Sequence, residues 1–272
     1  MRLLAAVLIL SLGATSAARA AGLPHHLIVC ADPNNLPFSN RARQGFENKI
    51  IDIVAADLGA RVSYVWWAQR RGYVRSTLGE ARCDLWSGVA TDVDMVTTTR
   101  PYYRSTYVFV TRADAHLAQL TLDDRRLKSA AIGVQMIGNN AMNTPPAHAI
   151  ASRGLIDNVR GYMLYGDYSR PNPAAAIVTA VENRKIDVAL VWGPLAGYFA
   201  ERSAIPLRID AVTPAADTRW PMIFDISMGV RRGNRELVAQ VNASLERERP
   251  AIDAILKAYH VPMEPPQSAQ GG

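Results

Sequence analysis

The chain has 272 residues, 49% of them hydrophobic, with a formal net charge of +6. This is the composition of an ordinary globular protein, long enough for two modest lobes, and it excludes a disordered or low-complexity chain. Arg2 and Arg19 fall in an amino-terminal leader, so the rest is only mildly basic; without a basic block interleaved with aromatics, no nucleic-acid partner is expected.

Arg2, the apolar run Leu3 to Leu12 and the small residues ending Ala18-Arg19-Ala20 have the charge, core and cleavage-site order of a secretory signal peptide, residues 1–20. That run is too short to span a bilayer, and no later stretch is apolar for long enough. The expectation is a periplasmic protein without membrane insertion. Leu27 to Cys30 reads as a buried strand, after which Asp32, Pro33, Asn34, Asn35, Pro37, Ser39 and Asn40 break pairing and close turns. Ile50, Ile51, Ile53, Val54 and Leu58 then recur at helical spacing, predicting a helix over Phe46 to Leu58. The polar loop therefore lies between the carboxyl end of a strand and the amino end of a helix, where open α/β sheets bind ligands. Asp32, Asn34, Asn35 and Phe38 are candidate contact residues, with turn formation the competing role for the two asparagines.

Strands at Val62 to Trp67, Asp84 to Val89 and Thr106 to Val110, with a helix near Val74 to Glu80, continue the first set of elements. A second set has strands at Ala131 to Val134, Gly161 to Leu164 and Val188 to Val191, alternating with helices near Ala147 to Ser152, Ala174 to Asn183 and Pro194 to Glu201. Arg208 to Val212 returns the chain, and a strand at Asp225 to Val230 with helices near Glu236 to Leu245 and Ile252 to Tyr259 completes the first set. The fold class is α/β: two lobes of mixed, mostly parallel sheets covered by helices and joined by two hinge crossings. Lobe I takes 21–111 and 209–263, lobe II takes 112–208, and 264–272 forms a polar tail. A hinged clamp of this kind binds between its lobes.

Cys30 and Cys83 border strands, and either a disulfide in an oxidising compartment or separate burial accounts for them. The five histidines show no metal-ligand spacing and no nucleophile elbow occurs, so no metal, cofactor or catalytic residue is expected. The run Gly133 to Asn140 can open a helix that offers amides to an anion, which brings Gln135, Asn139 and Asn140 to the cleft. Trp66, Trp67 and Trp86 read as core aromatics. Trp192 differs: it ends a strand of the second lobe where that lobe faces the cleft, with Phe38 approaching from the other side.

Gly88 after Cys83-Asp84-Leu85, Arg100-Pro101-Tyr102-Tyr103 leading into Tyr107-Val108-Phe109-Val110, Ile132-Gly133-Val134-Gln135, and Gly229-Val230-Arg231 before Glu236-Leu237 resemble, in order, the type II periplasmic solute-binding proteins. Cys30 to Asn40 with Gly45-Phe46-Glu47-Asn48, Gln69-Arg70-Arg71-Gly72 and Arg100-Pro101-Tyr102-Tyr103 resemble a narrower branch, the J-type accessory proteins encoded beside quinoprotein dehydrogenases. That resemblance implies a non-catalytic periplasmic protein supporting maturation or activation of a methanol or alcohol dehydrogenase that uses pyrroloquinoline quinone (PQQ). The expected partner is a subunit of that dehydrogenase, apo form included, touched directly, with a cytochrome c as a further partner; the branch leans to the lanthanide-dependent type. A monomer is expected. The alternative is a receptor delivering a non-amino-acid solute to an ABC importer. A dehydratase of prephenate-like acids lacks a positioned acid here.

The resemblance also exposes departures. Amino-acid receptors grip the ligand carboxylate with an Arg shortly after the glycine of the third strand, but Gly88 is followed by Val89, Ala90, Thr91, Asp92, Val93 and Asp94. They place an acidic residue before the proline that opens the last helix of the second lobe, where this chain has Trp192-Gly193-Pro194. Gly88 and Thr91 thus belong to a wall without a charge anchor, and Arg70 and Arg71 are the cations left beside the cleft. A zwitterion would bury two unpartnered charges, so no affinity for common amino acids is expected.

Overall fold

A computed structural model describes residues 25–91, 93–137, 143–164, 166–214 and 219–265. The expected leader, Asn139, Asn140 and most of the tail lie outside these residues. In chain order the elements are β1 (His26–Ala31), a two-residue ladder of β2 (Asn34–Asn35) with β3 (Ser39–Asn40), α1 (Phe46–Asp57), β4 (Arg61–Trp66), β5 (Leu85–Ala90), β6 (Thr97–Thr98) and β7 (Tyr103–Arg112). Then come β8 (Ile132–Met136), α2 (Pro145–Ser152), β9 (Val159–Met163), α3 (Ala176–Glu182), β10 (Val188–Trp192), α4 (Gly193–Glu201), β11 (Leu207–Ala211), β12 (Ile223–Val230), α5 (Arg235–Arg247) and α6 (Arg249–Ala258). The helix expected over Val74 to Glu80 is a π turn at Arg75–Gly79, and the one expected from Ala174 begins as a 3-10 turn at Pro173–Ala175.

The strands run β4-β1-β5-β12-β7-β10-β8-β9, with β11 added to β7 and β6 to β12. β1 is parallel to β4 and β5, and β8 is parallel to β9 and β10, whereas β12 and β7 are antiparallel to their neighbours. The long β7 serves both halves. Tyr103 to Thr106 pair with β12, while Tyr107 onward pair with β10 and Val108 onward with β11. The chain therefore changes sheets at Thr106/Tyr107 and returns near Met222, whose carbonyl accepts from the Tyr107 amide at 2.8 Å. The lobe limits read from composition, 111/112 and 208/209, fall inside or beside strands of the second sheet. Charge at Arg112 marks the end of a strand, and the unbroken apolar run before it hides the crossing.

One core packs α1 (Phe46, Ile50, Ile51, Val54) against α5 and α6 (Leu237, Val241, Leu245, Ile252, Leu256) and the first sheet. The second sheet is covered on both faces. Phe109, Ile132, Val134, Val188 and Leu190 point to one side, and Val108, Val110, Ala189 and Val191 to the other, with Ile177 and Leu195. Alternate residues of β7 and β10 feed opposite cores, which is why both strands read as continuous apolar runs. Cys30 and Cys83 are disulfide-bonded, with Cα atoms 5.7 Å apart, inside a smaller cluster containing Tyr73 and Leu78.

The segment after α6 runs across the hinge as a third link between the halves. Tyr259 stacks on Tyr198 of α4 at 5.6 Å, Ser105 Oγ donates to the Pro262 carbonyl at 2.5 Å, and the Glu264 amide donates to Arg104 O at 2.9 Å. Gly197 admits this strap because a Cβ there would stand 1.9 Å from His260 O. Among the described residues, no helix is long and apolar enough to cross a membrane.

Candidate functional site

The loop after β1 organises itself before it meets anything else. Asp32 is fully buried; its carboxylate accepts from the Asn34 and Gln69 amides, each at 2.8 Å, and its carbonyl accepts from Ser39 Oγ at 2.8 Å. Burial raises its pKa, against the lowering pull of those amides. Asp32 thus holds the loop together, and its Oδ2 also accepts from the Tyr168 hydroxyl of the opposite lobe at 3.5 Å. Asn35 Nδ2 donates to Gln69 Oε1 at 3.2 Å, a tie from the same loop to the end of β4. The first amides of α1 are also engaged: Phe46 N–H donates to Pro37 O at 2.8 Å and Glu47 N–H to Phe38 O at 3.1 Å. Gly45 permits this approach, since a Cβ would lie 2.0 Å from Phe38 O. The helix end that the sequence offers to a ligand is closed by its own loop.

Asn34 and Phe38 reach the other lobe. Asn34 Nδ2 donates to the carbonyls of Asp167 (2.9 Å) and Arg170 (2.8 Å), and its Oδ1 accepts from the Asn172 amide at 3.3 Å. Phe38 packs against the cores of both lobes and edge-on to Phe46 at 5.4 Å. No sequence pattern singles out the loop 166–172; its Gly, Asp, Ser, Pro and Asn mark a turn, not a partner.

Against Gly88 lies a buried acid that sequence reasoning passed over. Glu47 is 7% exposed, accepts from Ser87 Oγ at 2.6 Å, and has its pKa pushed up to about 7 by burial, partly offset by that hydroxyl. Gly88 exists for it, because a Cβ there would lie 2.0 Å from Glu47 Oε1. Tyr102 and Tyr103, buried beside it, are held protonated by burial and by the Glu47 charge. Its signal was weak but legible: an acidic residue in the first turn of a helix whose apolar residues Ile50, Ile51 and Val54 are all core. Thr91 is tied to β12, its amide donating to Asp225 O at 2.9 Å and its hydroxyl lying 2.7 Å from Ser227 Oγ.

On the second lobe, the Gln135 carbonyl accepts from Thr144 Oγ1 at 2.7 Å, while its side-chain Oε1 is buried without a partner among the described residues. Trp192 is half-buried, edge-on to Tyr107 (5.1 Å) and Phe224 (6.0 Å), forming an aromatic cluster at the hinge. The neighbouring Gly193 leaves no room for a side chain, since a Cβ would lie 2.5 Å from Thr106 O. Where β7 changes sheets, the start of α4 presses on its backbone.

At the rim, Pro33, Asn34, Arg41, Trp66, Trp67, Arg70 and the loop from Tyr168 to Pro171 surround a pocket of about 730 Å³. Arg70 lines it; Arg71 is exposed beside it. Trp67, expected in the core, is 37% exposed, because β4 ends at Trp66 and leaves the next side chain at the rim. Trp66 stacks on Tyr64 at 4.6 Å and Trp86 packs on Tyr73 at 5.1 Å, both half-buried.

Two lobes sharing a crossing strand, with a loop after β1 that meets the opposite lobe, define the periplasmic binding-protein fold. The chain belongs to the bacterial extracellular solute-binding proteins, family 3, matching that family over residues 27–261. It is 34% identical over 267 residues to Protein MoxJ of Methylorubrum extorquens, covering 93% of this chain and 87% of that one. Among solved structures, the periplasmic binding protein XoxJ from Methylobacterium extorquens AM1 is 36% identical with a TM-score of 0.72, covering 88% of this chain and 99% of XoxJ. MxaJ from Methlophaga aminisulfidivorans MPT is 25% identical with a TM-score of 0.73, covering 88% and 100%.

Proposed function

We propose that the protein is a periplasmic accessory factor that supports maturation or activation of a PQQ-dependent methanol or alcohol dehydrogenase, touching a subunit of that enzyme through the inherited cleft and catalysing nothing itself. The observation that carries this reading is the position of Gly193. A Cβ would meet Thr106 O at 2.5 Å, so no side chain fits where amino-acid receptors place the acid for the ligand ammonium. The residue before it is an aromatic, Trp192, joined to Tyr107 and Phe224, and a buried acid lies against Gly88, with no arginine shortly after that glycine. Such a surface suits apolar and aromatic groups of a protein partner better than a zwitterion. End-to-end similarity to MoxJ, XoxJ and MxaJ supports the assignment to that branch.

Co-purification of the mature protein with the apo-dehydrogenase and with the assembled enzyme, followed by an activity assay, tests it. Association with either is expected, together with loss of methanol oxidation on deletion of the gene; no association and unaffected oxidation would refute the reading. Membership of a solute-binding family favours a second reading, a receptor for an ABC importer of a non-amino-acid solute. Calorimetry separates the anchors: no heat of binding is expected for any common amino acid, and micromolar affinity for one would overturn the reading of Gly88 and Gly193.

A further inference from the structure

The rim pocket is lined by three arginines, one of which, Arg70, lies within electrostatic reach of the buried Asp32 carboxylate. Arg41 and Arg70 line it, and neither makes a side-chain hydrogen bond or ion pair with another described residue. The third cation, Arg170, has a 77% exposed side chain and donates from Nε to Asp167 Oδ2 of its own loop at 3.3 Å. No carboxylate is among the lining residues, whereas Trp66, Trp67 and Tyr168 supply aromatic surface, the last two well exposed. The walls come from both lobes: Trp66 ends β4 and Trp67 to Arg70 follow it, Tyr168 to Pro171 belong to the second lobe, and Asn34 between them hydrogen-bonds to the Asp167 and Arg170 carbonyls. Gly88, Gln135 and Trp192, which belong to the cleft proper, take no part in it.

Guanidinium groups bind carboxylates through paired, charge-assisted hydrogen bonds, and indole and phenol faces stack on flat rings. One carboxylate would engage one arginine; three arginines from the β2–β3 ladder, the end of β4 and the opposite lobe call for several carboxylates on a rigid frame. A pocket of about 730 Å³ lies within the size range of sites for small organic ligands. We propose that this rim pocket binds a planar aromatic polycarboxylate, its ring against Trp67 and Tyr168 and its carboxylates on Arg41, Arg70 and Arg170. The site depends on closure, because opening the lobes separates Arg170 and Tyr168 from the other walls. It does not depend on the cleft's partner.

The test is calorimetry of the full mature protein with benzene-1,3,5-tricarboxylate at low salt, with cyclohexane-1,3,5-tricarboxylate as the ringless control and hexaglutamate as an acidic peptide. Saturable binding of one benzene tricarboxylate per chain is expected, weakened about tenfold or more in Arg70→Gln and in Arg41→Gln, both exposed positions where folding is checked by the thermal transition. The ringless acid should bind several-fold more weakly, as should Trp67→Leu the aromatic one. The proposal fails if no saturable binding occurs up to millimolar ligand, if both arginine variants keep wild-type affinity, or if the ringless acid binds equally well. It also fails if hexaglutamate displaces the aromatic acid at lower concentration, which would make this face a docking surface for acidic protein segments.

Discussion

Glu47 shows how one residue sets conditions on its neighbours. A carboxyl group buried at the start of α1, with Ser87 as its donor and tyrosines around it, is more stable protonated, and its pKa stands at about 7 instead of 4.5. The sign follows from linkage: below about pH 4.5 the group holds its proton in folded and unfolded chains alike, and its contribution to stability is complete. As pH rises through 7 the folded state must retain a proton the unfolded state has lost, or bury a charge, and up to about 3 kcal/mol is withdrawn, at ~1.4 per pH unit. Glu47→Gln removes that term. Urea titrations at about pH 5 and pH 8 should show wild-type stability declining more than that of the variant by an amount of this order; parallel declines would refute the assignment. The residue scale is also where sequence reading is weakest. Asp32 and Asn34 are equally polar turn residues on paper, yet one is fully buried and gathers donors from its own loop, from Gln69 and, at 3.5 Å, from Tyr168, while the other binds backbone carbonyls of the opposite lobe, and only the third dimension distinguishes them.

Most strands and helices were legible because apolar runs and helical spacing are the direct imprint of burial, as in α1, β10 and the α5–α6 pair. The exceptions have physical causes. The β2–β3 ladder is two residues long on each side, too short for any periodicity, and it sits inside a segment dominated by turn formers. The sheet exchange at Thr106/Tyr107 is invisible because both halves of β7 are buried, and composition reports burial, not the identity of the neighbour. The absence of an acid before Pro194 was legible; its steric cause was not. Gly193 is held by β7, and Gly193→Ala drives a methyl group into the Thr106 carbonyl. Overpacking of this kind costs about 1–3 kcal/mol or more, so the variant should lose stability in urea and gain no amino-acid affinity. A fully stable variant would contradict the close contact.

At the scale of the molecule, the two lobes are held by three links of different kinds: the shared strand β7, the return near Met222, and the strap after α6 across Ser105 and Arg104. Opposite the hinge, the Asn34 side chain makes three hydrogen bonds to the loop 166–172, beside a longer one from Tyr168 to Asp32 at 3.5 Å. Their net worth is about 1–3 kcal/mol, comparable to the free energies that separate conformers of hinged proteins. Asn34→Ala should therefore shift the population towards open forms, seen as a larger radius of gyration by X-ray scattering with the folded core intact. An unchanged radius would mean that Phe38, wedged between both cores, and the Tyr168–Asp32 contact suffice.

The first core is assembled from two distant stretches of chain. Ile50, Ile51 and Val54 of α1 pack on the first sheet on one side and against Leu237, Val241, Leu245, Ile252 and Leu256 on the other. A ribosome delivers α1 with β1, β4 and β5 early and β12, α5 and α6 last, so throughout synthesis α1 has only part of its native cover. The nascent polypeptide consequently cannot lock into its finished form before nearly all of it has been made. That late completion is a built-in delay, because folding contacts of high sequence separation form slowly.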